Sequence, residues 1–508
     1  HPNWLLGGVF PATYILGGTK NTKLLFSSNV FIFIYLPVVL LVNYAFKFSR
    51  RAQNVFLCLA SLLFYAWGEP RFVLVMMASI LLNWFFGLLV GKFKENKNVR
   101  WLIALDVFIN LSIIFIYKYL AFTVKNLNLL FHAHRNVPEI ALPIGISFFT
   151  FQAISYVIDV YRGRGEAQRN LLNVGLYISF FPQLIAGPIV RYETIADQIN
   201  NRKENLQDFS DGVVRFIIGL GKKVLLANNM ALIADHAFGF GNGTVQWFGA
   251  DMPLTAGMAW LGALAYTFQI YFDFSGYSDM AIGLGKMFGF HFDENFNYPY
   301  VSRSITEFWR RWHISLSSWF RDYVYIPLGG NRVKTEARHI FNLFVVWLLT
   351  GIWHGANWTF ILWGLTYFVL LVTEKKLGLH KEAKYRWMNP LKYIATMFFV
   401  IMEWVLFRAD SLGDAVHYMS CMFGADGWGL SAPGIFYLTQ YRYFWLAAIV
   451  GSLPWVPWLG KRLKQEGVSV KRKWAADMIS GVFIVSILLV SVSYIVIGSY
   501  NPFIYFNF

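Results

Sequence analysis

Charge is scarce in this chain. Asp, Glu, Lys and Arg make up only 14% of its 508 residues, against roughly 25% in a soluble globular protein, while 56% are hydrophobic. A deficit of that size excludes an ordinary water-soluble domain and argues for lipid as the solvent. Cysteine is scarcer still. The two thiols, Cys58 and Cys421, lie in apolar surroundings without metal-type spacing, which reads as inert core cysteine and no metal site. No His-Glu-x-x-His, phosphate-binding loop or Gly-x-Ser-x-Gly elbow occurs. Gly283–Gly289 lacks the strand context of a dinucleotide site, and Phe274-Ser-Gly-Tyr fits no nucleophile elbow. Zinc protease, nucleotide-hydrolase and serine-hydrolase chemistries therefore have no foothold.

Long apolar runs are present instead. Val30–Tyr44, Phe72–Val90, Trp101–Phe122, Phe341–Val372 and Ile479–Ile497 approach or exceed the roughly 17–25 residues that cross a bilayer. None alternates polar with apolar, so helices rather than barrel strands satisfy the backbone. The expectation is an all-α polytopic membrane protein with about 11–13 transmembrane or re-entrant helices. The net charge of +16 would suggest nucleic acid in a soluble protein. Here the basic residues cluster between spans, at Lys92–Arg100, Lys375–Lys392 and Lys461–Lys473, which is the positive-inside pattern of a multi-pass plasma or inner membrane protein. In Lys461–Lys473 six basic residues oppose one acid, Glu466, and one span follows, so this loop is expected in the cytoplasm and Phe508 outside.

Residues 1–23 have no basic leading region and stand apart, leaving 24–508 as one membrane domain. Its middle, 140–374, embeds polar residues in apolar context. These include Gln152, Asp159, Gln183, Gln269, Asp273, Asp279, His313, His354 and Asn357. Ionisable groups at membrane depth cost about 2.5–3.5 kcal/mol on insertion scales, so they concentrate where function needs them. Ser210–Asn229, opened by the helix-capping pair Ser210-Asp211 and interrupted by Arg215, Lys222 and Lys223, reads either as an interfacial amphipathic helix or as an ordinary span.

Two segments carry the strongest chemical signal. One is Glu307-Phe-Trp-Arg-Arg-Trp-His313-Ile-Ser-Leu-Ser-Ser-Trp-Phe-Arg-Asp322, the other Leu349-Thr-Gly-Ile-Trp-His354-Gly-Ala-Asn357. The histidines are 41 positions apart (354 − 313), about 60 Å along one helix, so a shared site needs a fold-back. Gly329-Gly330-Asn331 offers one, and Gly351 and Gly355 leave room for close approach beside His354. Histidine suits such a place because its unperturbed pKa of about 6.5 makes a neutral, proton-accepting imidazole available near pH 7. A satisfied core histidine is the bland alternative.

Together with Ser147-Phe-Phe-Thr-Phe-Gln152-Ala-Ile-Ser-Tyr, Phe180-Phe-Pro-Gln183-Leu-Ile-Ala-Gly-Pro188, Tyr271-Phe-Asp-Phe-Ser-Gly-Tyr-Ser-Asp279 and the terminal Asn501-Pro-Phe-Ile-Tyr-Phe-Asn-Phe508, these segments give the chain a resemblance to the membrane-bound O-acyltransferase superfamily, in its bacterial alginate O-acetylation branch. The resemblance implies a helical ring thinned at its centre, where a cytoplasmic donor tunnel meets an extracytoplasmic funnel. It implies His354 as the catalytic base, His313 in support, and Arg310, Arg311 and Arg321 where donor phosphates bind, with helix-end anchoring as the alternative for the arginines. Asp273 and Asp279 match family positions as caps or helix-packing partners. It further implies acetyl-coenzyme A as donor substrate, no permanently bound cofactor, and an extracytoplasmic partner of SGNH or similar type that modifies a surface polysaccharide. The aromatic tail 499–508, past the last span, offers Tyr505 as an acyl relay, against the simpler role of an aromatic anchor. The teichoic-acid D-alanyl branch is the nearest alternative within the class, and a transporter the alternative outside it.

Overall fold

The computed structural model describes residues 25–239, 244–247, 250–383, 385–463, 470–498, 500–502 and 504. The segment 1–23, Tyr505 and Phe508 lie outside the described residues, as does the middle of the Lys461–Lys473 loop. Among the described residues the chain is helical apart from one antiparallel hairpin, Thr244–Trp247 against Ala250–Pro253, with Trp247 opposite Ala250. Among the described residues, five helices are long and apolar enough to cross a membrane, namely Val73–Lys92, Val99–Phe131, Leu206–Phe238, Met388–Arg408 and Lys471–Ile497. Leu, Ile, Phe and Val side chains such as Leu41, Phe108, Ile394 and Val482 are exposed along helices, as lipid-facing residues are.

Two expectations about helix limits need correction. The run Phe341–Val372 is not one span but a helical hairpin, Glu336–His354 and Trp358–Lys376. Asn357 breaks it, its side chain accepting the Thr359 backbone N–H at 3.2 Å as an N-cap, and Gly351 packs against the Phe360 carbonyl of the return helix. His354 is thus the last residue of its helix. In the amphipathic segment the cap is Asn205, whose side chain accepts the Asp208 N–H at 2.8 Å, and Ser210 and Asp211 sit inside the helix. That helix runs to Phe238 and is largely buried, so it is a span and not an interfacial helix.

It is buried against another long helix, the 32-residue Ala256–Met287, which lies at the centre. The two pack antiparallel through paired glycines one heptad apart. A Cβ on Gly219 would come within 2.5 Å of the Gly276 carbonyl oxygen, and one on Gly212 within 2.6 Å of that of Gly283. Only hydrogen fits at these crossings, and the resulting backbone approach is what associates helices where lipid removes the hydrophobic drive. Asp273 and Asp279 on the central helix face the same partner: Lys223 pairs with Asp273 at 2.7 Å, and Arg215 and Lys222 with Asp279 at 2.8 and 2.6 Å. Both aspartates are therefore helix-packing partners and not caps.

Candidate active site

The glycine turn folds the chain back as expected. Gly329 and Gly330 adopt φ of 107° and 56°, and the two histidine segments meet across Trp353, whose ring centroid lies 6.1 Å from that of His313 and 5.0 Å from that of His354.

His354 is walled by Trp353, Trp363 and Phe407, each ring edge-on with centroids 4.9 to 5.2 Å away. No hydrogen bond is described for its ring nitrogens. His354 lines a cavity of about 30 Å³, together with Lys118, Gly145, Ser147, Ile185 and Trp353, which is space for a water-sized group. The backbone that presents His354 is clamped. A helix leaves its last carbonyls without intrahelical partners; here the Lys118 ammonium donates to the carbonyls of Trp353 at 2.6 Å and His354 at 3.3 Å, and the Tyr119 hydroxyl donates to that of Ile352 at 2.6 Å. The third Lys118 donor goes to Ser147 Oγ at 3.3 Å. A cation at a helix C-terminus also complements the helix dipole. Both clamp residues belong to a π-helical stretch, Phe115–Tyr119, a local irregularity frequent at functional sites.

His313 is held differently. It is 1% exposed and has φ 45°, a left-handed conformation uncommon outside glycine, with the following chain pinned by an Ile314 N–H bond to the Asn295 carbonyl at 2.9 Å. Its Nδ1 lies 3.1 Å from Asn295 Oδ1. That amide atom must be the oxygen, because the Ser315 backbone N–H donates to it at 3.2 Å while Asn295 Nδ2 donates to Ser278 at 2.9 Å. In the neutral ring Nδ1 consequently carries the proton, and Nε2 keeps its lone pair with no described partner. Phe274 packs edge-on against the ring at 4.5 Å.

The three arginines separate. Arg311 is bound to Glu307 at 2.9 Å and to the Asn297 carbonyl at 3.1 Å, and Arg321 chelates Asp322 at 2.8 and 3.0 Å. Arg310 is exposed and makes no described ion pair or hydrogen bond. The described part of the tail turns back into the protein. Tyr500 donates to Asp235 at 2.6 Å, Asn501 bridges Asn228 and Ser27 at 3.1 Å each, Lys223 donates to the Pro502 carbonyl, and the Ile504 N–H donates to Asp273 at 2.9 Å. Ile504 is buried.

Lys118, Tyr119 and Asn295 were not singled out from sequence. A lysine inside the apolar run Trp101–Phe122 is itself the signal that an ionisable group at membrane depth provides. Asn295 lies outside every motif and carried none.

Comparison with known proteins matches residues 166–412 to the membrane-bound O-acyltransferase family. The probable alginate O-acetylase AlgI of Pseudomonas putida is 42% identical over 511 residues, covering 96% of this chain and 100% of the relative. The peptidoglycan O-acetyltransferase of Helicobacter pylori is 38% identical, covering 80% of each chain. The teichoic acid D-alanyltransferase of Streptococcus thermophilus is more distant, 27% identical over 72% of this chain and 88% of its own.

Proposed function

The chain belongs to the membrane-bound O-acyltransferase family, in its alginate O-acetylation branch, and from that membership we propose that it carries an acetyl group from cytoplasmic acetyl-coenzyme A across the plasma membrane for O-acetylation of a surface polysaccharide. It is an integral membrane O-acyltransferase, and its named O-acetylating relatives favour acetyl over D-alanyl.

In the proposed reaction an acceptor hydroxyl reaches His354. The imidazole takes its proton as the oxygen attacks the thioester carbonyl. The C–S bond then breaks, and the coenzyme A thiolate recovers the proton from the imidazolium, leaving an oxygen ester. General-base help of this kind contributes about 10²–10⁴-fold. His354 is assigned the role because it borders the cavity, while His313, with a lone pair at Nε2, orients or assists. Aromatic walls around His354 keep out water that would hydrolyse the thioester. Of the three arginines, Arg310 has the free guanidinium for the donor's phosphates.

We assign Tyr505 as the first acceptor, passing its acetyl group to an extracytoplasmic transferase of SGNH or similar type. The observation that carries this is the tail's return to the centre: Ile504, the residue before Tyr505, is bonded to Asp273, and Phe274 beside Asp273 packs on His313. A phenol of pKa about 10 needs a base at pH 7, and its aryl ester is a good donor for the next transfer. Purified protein incubated with labelled acetyl-coenzyme A is expected to hold one acetyl group on the peptide bearing Tyr505, and none after Tyr505→Phe. Unchanged polysaccharide acetylation with Tyr505→Phe in cells would leave the tail as an anchor only.

A further inference from the structure

Away from the histidine pair, three metal-ligating side chains close on one another. His417 and Cys421 are four positions apart on the helix Leu412–Met422 and so share a face. The chain reverses at Gly424, whose φ of 95° suits glycine, with the Gly424 N–H on the Cys421 carbonyl at 2.9 Å and the Ala425 N–H on that of Ser420 at 3.1 Å. The reversal returns Asp426 to that face. Cys421 Sγ lies 3.3 Å from Asp426 Oδ2 and 3.7 Å from His417 Nε2, and the last two are 3.6 Å apart.

These edges have a metal's dimensions. Zinc bound at about 2.3 Å to sulfur, 2.0–2.1 Å to imidazole and 2.0–2.2 Å to carboxylate, with tetrahedral angles, separates its ligand atoms by roughly 3.3–3.6 Å. The observed triangle agrees to within a few tenths of an ångström. A hydrogen-bonded chain from thiol to carboxylate to imidazole would need two close contacts; here the third edge, sulfur to imidazole, is closed as well. Cys421 is buried, whereas the His417 and Asp426 side chains are 47% and 32% exposed, so a fourth position opens toward solvent.

We propose that His417, Cys421 and Asp426 bind one divalent transition-metal ion of the zinc class, with water as fourth ligand. Thiolate with imidazole selects such an ion over calcium or magnesium. On binding, the thiol S–H is replaced by sulfur–metal and one proton is released. The ion would be structural. The loop it tethers caps the start of the central helix, the Gly427 and Gly429 carbonyls accepting the Ala256 and Gly257 N–H groups at 2.9 Å each, while Trp260 donates to the Met422 carbonyl at 2.9 Å. The sequence reading of Cys421 as an inert core thiol changes accordingly.

Cobalt(II) titrated into tag-free, chelator-stripped full-length protein in detergent tests the site. A thiolate-to-cobalt charge-transfer band should rise and saturate at one ion per chain, and vanish in Cys421→Ser. His417→Ala and Asp426→Asn should each weaken binding by more than the roughly 10–100-fold that loss of an outer-sphere partner costs. Zinc should slow alkylation of Cys421 in wild-type protein, and EDTA should restore it, a readout that needs no variant to fold. A band that never saturates, a band unchanged in Cys421→Ser, or alkylation indifferent to zinc would each overturn the proposal.

Discussion

Replacing Lys118 with methionine keeps the stem of the side chain and removes its ammonium. Lys118 donates to the carbonyls of Trp353 and His354, the last two of the helix that presents His354. Each buried carbonyl stripped of its donor costs about 1–3 kcal/mol, so the two at this helix end together lose roughly 2–6 kcal/mol. The chain should still fold, but the last turn relaxes toward other donors and shifts the imidazole by on the order of 1 Å. Misplacement on that scale costs about 10²-fold in a positioned reaction. Single-turnover transfer from labelled acetyl-coenzyme A should therefore fall by about 10² at saturating donor, with KM for the donor little changed, since Lys118 saturates its donors within the protein. Tyr119→Phe removes one neutral bond to the Ile352 carbonyl, worth about 0.5–1.5 kcal/mol, and should lower the rate by less than about tenfold. A Lys118→Met enzyme with the wild-type rate would refute the clamp.

Three further outcomes are expected. Asn295→Leu frees His313 Nδ1 from the acceptor that fixes its tautomer and should cost transfer at least about tenfold, whereas Asn295→Asp keeps an acceptor oxygen and should retain more; equal rates in the two variants would remove the tautomer argument. Gly219→Leu drives a side chain into the Gly276 carbonyl and should abolish the monodisperse peak in detergent size-exclusion chromatography, so a well-behaved variant would show that the helix crossing tolerates bulk. Arg310→Ala should raise KM for acetyl-coenzyme A several-fold with kcat nearly intact, a pattern of uniform binding that an unchanged KM would contradict.

The features legible from sequence were those written in local pattern. Uniform apolar runs gave Phe31–Ala45 and Val73–Lys92 to within a few residues. They failed where packing overrides hydropathy. The central helix Ala256–Met287 carries Asp273 and Asp279, whose carboxylates are paired with groups some 50 to 230 residues away in sequence, which no window along the chain can see. The break at Asn357 was visible as a capping residue after two glycines, yet the hydrophobicity on either side masked it. Within the site, both histidines and the glycine turn stood out by residue type, but what orients them did not. Asn295 acts through its oxygen on a residue 18 positions away, and Lys118 through carbonyls more than 230 positions away. Arg311 and Arg321 show the converse: their carboxylate partners, Glu307 and Asp322, are near in sequence, yet residue type alone does not say that the pairs form.

Acyl transfer through His354 is open to one decisive comparison, coenzyme A release by purified wild-type and His354→Ala protein in detergent, each verified as folded by size-exclusion chromatography. The imidazole occupies a modest volume among Trp353, Trp363 and Phe407, so the variant should fold. Loss of its proton-accepting nitrogen should lower thioester turnover by about 10²–10⁴-fold. Turnover in folded His354→Ala that stays within a few-fold of wild type would contradict the assignment of His354 as the base.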